Sequence, residues 1–166
     1  MLLSLSAFVS LLLSGAIFGF FYAWICSTMW GLDAIDPRVA ITAMQGMNAS
    51  VRNAVFAPAF FGTPVALFIT AGLAVAAAAR PAAVLFALGG ALYVAGGLFL
   101  TMSVHVPMNE SLAALPVQDS IEEAQQIWTA YTGPWQVYNT ARTVVSGGTL
   151  LLCGLGIVAL ARHGKL

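Results

Sequence analysis

The chain has 166 residues, of which 60% are hydrophobic and 7% charged, and its formal net charge is zero. A soluble domain carries about 25% charged residues, so this composition excludes an ordinary water-soluble globule and points to bilayer-spanning segments. With no basic run and no net positive charge, nucleic acid is excluded as a partner.

The first apolar run covers about Leu2–Ile25, long enough to span at about 1.5 Å per residue. It lacks a basic leading region and a clear small-residue cleavage site, so it is expected to be a span and not a cleaved signal peptide. Gly15 and Gly19 form a GxxxG pair that lets another helix approach closely, either within the bundle or at a homo-oligomer seam.

A polar interruption, Ser27–Asn53, follows. Asp36-Pro37 predicts a helix start, with the aspartate capping free N–H groups and proline at the first helical position. Along Arg38–Arg52, Ala40, Met44, Met47 and Val51 share one face, while Gln45, Asn48 and Arg52 share an adjacent one. This predicts an amphipathic surface helix whose polar side faces either water or the bundle mouth.

The second span is expected over about Ala54–Ala79, with Pro58 and Pro64 in its first half as kink sites. Arg80-Pro81 predicts a tight turn into a third span, about Ala82–Val104, with Ala87, Ala91 and Ala95 as a small-residue packing ridge. The chain then turns polar through Thr101–Glu110, which holds His105, Pro107, Asn109 and Glu110. Ser120-Ile121-Glu122-Glu123 reads as a capping box. It opens a second short amphipathic helix carrying Trp128 and Tyr131, which Gly133-Pro134 should end.

The fourth span is expected over about Trp135–Leu160, with Trp135, Asn139, Arg142 and Ser146 on one helical face. The fold class is therefore all-α: a four-helix transmembrane bundle, one domain over residues 1–166, with two short amphipathic surface helices over its outer end. Basic residues at the Arg80 turn and at Arg162 and Lys165 favour cytoplasmic termini and outward long loops, in a bacterial inner membrane. Cys26 and Cys153 are placed towards opposite faces and read as small packing residues, not a disulfide.

All four tryptophans, and Tyr22, Tyr131 and Tyr138, fall on the long-loop side. An interfacial belt should occur at both faces, so the asymmetry also fits an aromatic-lined mouth for a flat, apolar ligand. His105 is the one histidine on this side and a candidate general base; as a helix-end residue it could equally be structural. Arg142 is either one half of an ion pair with Glu110 or an aspartate, or a binder of an anion or enolate, with Asn139 beside it. No HxxxH or CxxC spacing suggests a metal, and no cofactor is expected.

Several segments carry a resemblance in order and spacing: Gly15-x-x-Phe18, Ala43-Met44-Gln45-x-x-Asn48, Val106-Pro107-x-Asn109-x-x-Leu112, Trp128-x-x-Tyr131 and Trp135-x-x-x-Asn139-x-x-Arg142-Thr143. Together they resemble the DUF1772 family over nearly the whole chain. The resemblance implies a four-helix membrane protein; some fungal members oxidise a polyketide anthrone to an anthraquinone with O2. This chain has Tyr138-Asn139-Thr140-Ala141-Arg142 where the family often has Trp-Asn-His-Val-Arg, and His105 where it often has asparagine. The expected function is that of an anthrone-oxygenase-like oxidoreductase acting on a flat apolar aromatic or polyketide substrate. His105, Asn139 and Arg142 are its catalytic candidates, and Gln45, Asn48, Asn109, Glu110, Trp128, Tyr131 and Trp135 its substrate-binding ones. The alternatives are a binder or carrier of a membrane lipid or quinone-like molecule, and an assembly subunit docking through Gly15 and Gly19.

Overall fold

The computed structural model describes residues 1–116 and 118–166. Five helices make up the fold among these residues: α1 (Leu2–Asp33), α2 (Pro37–Ser50), α3 (Phe56–Ala76), α4 (Arg80–Ala113) and α5 (Ile121–Arg162). All but α2 are long and apolar enough to cross a membrane. Their outward side chains are large and apolar, among them Leu12, Val65, Val84 and Val144, a surface that suits lipid and not water. The chain is an integral membrane protein with an all-α, four-helix transmembrane bundle.

The four spans form a closed ring in which α1 and α4 each pack on both α3 and α5. Lipid tails are as apolar as leucine, so helices associate in membranes through close packing and hydrogen bonds. Here glycines make that packing possible. A Cβ at Gly96 of α4 would sit 2.6 Å from a Val145 methyl of α5, and one at Gly156 of α5 would sit 2.9 Å from the Phe86 ring. The ridge is therefore not the alanine series, since Ala91 and Ala95 are exposed. Gly15 and Gly19 pack against nothing inside the bundle; a Cβ at either would meet no atom within 4 Å.

The hairpin between α3 and α4 turns at Ala77–Ala79, with Arg80-Pro81 already in the first turn of α4. Ala78 N donates to the Val75 carbonyl at 2.9 Å and Ala79 N to the Ala74 carbonyl at 2.8 Å, a Schellman pattern. Ala78 holds the left-handed position, at φ 58°. Pro58 falls in the first turn of α3, where no helical hydrogen bond is lost. Pro64 is interior and leaves the Phe60 carbonyl, four residues back, without its helical donor. The Tyr93 hydroxyl donates to that carbonyl at 3.0 Å.

At the polar end the helices run past the limits expected from sequence. α1 continues to Asp33 through a π turn at Trp24–Thr28. The Asp33 carboxylate there accepts from Trp128 Nε1, Thr132 Oγ1 and Gln136 Nε2, each at 2.9 Å, which ties α1 to α5. α4 continues through π turns at Val94–Phe99 and Thr101–His105 and past Pro107 to Ala113. Gly133-Pro134 does not end a helix: Ile121–Arg162 is one element, so the second short helix and the fourth span are continuous. Its cap is half of the expected box. Ser120 Oγ accepts from Glu123 N at 3.3 Å and donates to Glu122 at 2.9 Å.

α2 begins as the Asp36-Pro37 pair dictates. The Asp36 carboxylate accepts from the Arg38 N–H at 2.9 Å and from the Arg38 guanidinium at 2.7 Å. These bonds and the adjacent positive charge hold its carboxyl below the usual range. α2 buries Pro37, Ala40, Ile41 and Met44. Ala40, Ile41 and Met44 join Trp24, Leu32, Trp128, Tyr131 and Trp135 in an apolar core of its own above the spans. Cys26 and Cys153 are free thiols, one exposed and one buried.

Candidate functional site

Beneath the end of α2 lies a cavity of about 610 Å³. Phe20, Phe21 and Trp24 of α1 line it, with Phe56, Ala57, Phe60 and Phe61 of α3. α4 contributes Thr101, Met102, His105, Val106, Asn109 and Glu110, and α5 contributes Trp135 and Arg142. Asn48 and residues 51–54 form its roof. The widened turns at Trp24–Thr28 and Thr101–His105 both border it. Such turns shift the side-chain register by one residue and recur at functional sites.

Arg142 is 5% exposed and has no carboxylate partner among the described residues. Its Nε donates to Asn139 Oδ1 at 2.8 Å and its Nη1 to Thr101 Oγ1 at 3.3 Å. Asn139 is itself fixed by donating Nδ2 to the Phe21 carbonyl at 3.2 Å. The guanidinium stacks 4.3 Å from the Phe21 ring centroid and 5.2 Å from that of Trp135. Cation–π contact of this kind contributes up to about 2 kcal/mol when desolvated, but a buried charge loses several kcal/mol of hydration. The site therefore holds a preorganised cation whose balance an anion in the cavity would complete. Of the two alternatives for Arg142, the ion pair with Glu110 does not form; Glu110 bonds Arg52 at 3.4 Å.

His105 is 1% exposed, and neither ring nitrogen has a hydrogen-bond partner. Its ring meets Trp135 edge-on at 5.3 Å and Tyr138 at 6.5 Å. Trp135 thus contacts both His105 and Arg142. Buried polar atoms are normally satisfied, so the His105 imidazole, in the cavity lining with neither nitrogen hydrogen-bonded to a side chain, is a group there with bonding capacity left over.

Asn109 Oδ1 accepts from Tyr131 at 2.8 Å and from Trp135 Nε1 at 3.1 Å, and the Tyr131 oxygen accepts from Asn48 Nδ2 at 3.3 Å. This network sets the Trp135 ring and joins α2, α4 and α5. Of the residues singled out from sequence, His105, Arg142, Asn48, Asn109, Glu110 and Trp135 line the cavity. Asn139 and Tyr131 lie behind the wall and position residues that do. Gln45 caps the end of α4, donating to the Leu112 carbonyl at 2.9 Å and the Leu115 carbonyl at 3.1 Å. Trp128 belongs to the Asp33 clamp. The phenylalanine wall and Thr101's bond to Arg142 were not singled out. The cluster Phe18-Gly-Phe-Phe-Tyr-Ala-Trp24, facing Phe56, Phe60 and Phe61, was the available signal. Among the described residues, no group of three His, Cys, Asp or Glu side chains could hold a metal ion.

Comparison with known proteins gives one finding: a family model described as anthrone oxygenase matches residues 52–152. Neither a curated protein nor a solved structure matches the chain. The matched segment holds α3, α4 and most of the spanning part of α5, with His105, Asn109, Trp135 and Arg142 inside it, and the chain belongs to the anthrone oxygenase family.

Proposed function

We propose that this protein is a cofactor-independent oxygenase that oxidises the activated methylene of a flat, apolar aromatic ketone to a carbonyl with O2. The observation that carries the proposal is His105, buried in the cavity wall with neither ring nitrogen hydrogen-bonded to a side chain, near a guanidinium that has no carboxylate partner among the described residues. A neutral imidazole removes a proton from the carbon acid. Arg142 stabilises the enolate oxygen that results, because its charge is already oriented and shielded from water. The aromatic walls hold the ring system by stacking. Asn139 and Thr101 position Arg142.

The electron-rich enolate passes an electron to O2, the two radicals combine through a C–O bond, and the peroxide anion takes the first proton back from His105 to give a hydroperoxide. His105 then takes the second proton from the same carbon, and the O–O bond breaks. The departing hydroxide takes the proton from His105, leaving the ketone and water. In the net change one methylene and one O2 become one carbonyl and one water: the carbon gives up four electrons and O2 accepts four. We further propose a bacterial inner-membrane setting with both termini cytoplasmic and the cavity end outward, on the bias of Arg80, Arg162 and Lys165 towards the other face.

The test is purified protein in lipid vesicles supplied with anthrone under 18O2. One O2 should be consumed per anthraquinone formed, with the label in the new carbonyl. His105→Ala should lower turnover by about 10²–10⁴-fold, the usual contribution of a general base. Anthrone bound without oxygen uptake would reject the oxygenase and leave a carrier.

A further inference from the structure

The cavity has two rims of opposite character. Deep in the bundle α3 and α4 are held together, by the Phe68 ring seated at Gly90 and by the Tyr93–Phe60 hydrogen bond. Beyond that bond they part. Thr101–His105 packs on α5, and Val106–Ala113 packs on α2 and α5, while neither runs along α3. The first turns of α3 stay with α1 instead, Phe56 lying 4.8 Å from Phe20. A wedge opens between α3 and α4, and the cavity fills it.

Phe61 of α3 and Met102 of α4 line the cavity and are also 53% and 50% exposed at the outer surface. They frame the open side of the wedge. The surface around them is apolar, with Val65 and Phe99 exposed on the same two helices, so the opening faces hydrocarbon. The other rim is polar: Arg52 and Glu110, both cavity-lining, are joined across it by their 3.4 Å ion pair.

We propose that the α3–α4 seam between Phe61 and Met102 is the entrance to the site, used by a flat apolar molecule dissolved in the bilayer, with the Arg52–Glu110 pair spanning the aqueous side. This rests on the reading of the cavity as a substrate site. The substrate class is then a membrane-partitioned, uncharged weak carbon acid that ionises only beside Arg142. A substrate already ionised in water would have to leave its hydration before crossing a hydrocarbon-facing gap, which disfavours it.

The test is cysteine labelling in lipid vesicles, which needs no turnover. Its failure is therefore distinct from a failure to oxidise anthrone. In a Cys26→Ser, Cys153→Ala background, Val106→Cys on the cavity wall is treated with pyrenyl maleimide, which partitions into lipid, or with a sulfonated maleimide confined to water. The lipid-soluble reagent should react the faster. Phe61→Trp with Met102→Trp should slow it by about tenfold, equivalent to an added barrier of about 1.4 kcal/mol, and Phe61→Ala should speed it. Arg52→Ala should leave it unchanged. Faster labelling on Arg52→Ala with no response at Phe61 or Met102 would place the entrance at the aqueous rim and overturn the proposal. So would a Val106→Cys, or an Ala57→Cys used if the first fails to fold, that neither reagent reaches.

Discussion

Tyr93 is fully buried, and its hydroxyl is the partner of a carbonyl that Pro64 has deprived of its helical donor. Tyr93→Phe removes only that oxygen, so the packing volume barely changes and the loss is almost purely the hydrogen bond. Interhelical hydrogen bonds in membranes average about 0.6 kcal/mol and reach about 1.7, because an unfolded span usually finds another partner. Here no other side chain donates to the Phe60 carbonyl, and an unsatisfied buried acceptor costs about 1–3 kcal/mol. The expected destabilisation is therefore at the upper end, about 1.5–2 kcal/mol. Pro64→Ala restores an N–H at the correct spacing. In that background Tyr93→Phe should cost about 0.5 kcal/mol or less, giving a coupling of about 1 kcal/mol or more. Reversible unfolding in mixed micelles, followed by helical circular dichroism, measures the cycle. Equal effects of Tyr93→Phe in both backgrounds would refute the claim that the hydroxyl stands in for the missing amide.

Arg142→Met should leave the bundle folded, since replacing an unbalanced buried charge by an apolar side chain is often neutral or stabilising. Turnover should fall by about 10²–10³-fold, and a failure to fold in detergent would make Arg142 structural. Ala78→Gly should raise stability by about 0.5–1 kcal/mol by relieving a left-handed alanine, read as a shift in the unfolding midpoint. The lowered Asp36 carboxyl means that its stabilisation of α2 is complete above the ordinary carboxylate pKa and is lost as pH falls through the lower folded value. The protection of the Arg38 amide against hydrogen exchange, relative to its intrinsic rate, should fall at acid pH, and Asp36→Asn should flatten that dependence.

The four spans were legible because unbroken apolar runs have few other structural outcomes, and the Asp36-Pro37 start was legible because its cap is local. Helix ends at the polar face were not. Ser27–Asp33 falls in the polar interruption of the sequence, yet the Asp33 carboxylate is held by three side chains about a hundred positions away. The third span is expected from sequence to end near Val104, but the helix runs on through Pro107, two residues past the π turn Thr101–His105, where the usual ladder is already interrupted. Pro134 strips a donor from the Ala130 carbonyl, and Ala130 is exposed, so water or headgroups can serve it. In the site, His105, Asn109, Trp135 and Arg142 were visible as polar groups ending apolar runs. Thr101 and the phenylalanines were not, because a phenylalanine against lipid and one against a cavity are identical in a sequence.

The single helix α5 also makes the bilayer a ruler. Arg142 and Arg162 lie on it about 30 Å apart along the axis, which matches the roughly 30 Å hydrocarbon thickness of a typical membrane. With Arg162 anchored at one headgroup layer, Arg142 comes to rest at the depth of the other. A thicker bilayer would draw the guanidinium into hydrocarbon and set the seam at Phe61 and Met102 deeper within it, and a thinner one would bring both towards the headgroups. Acyl-chain length, chosen by the cell for reasons unrelated to this protein, would thereby tune how the site meets its surroundings.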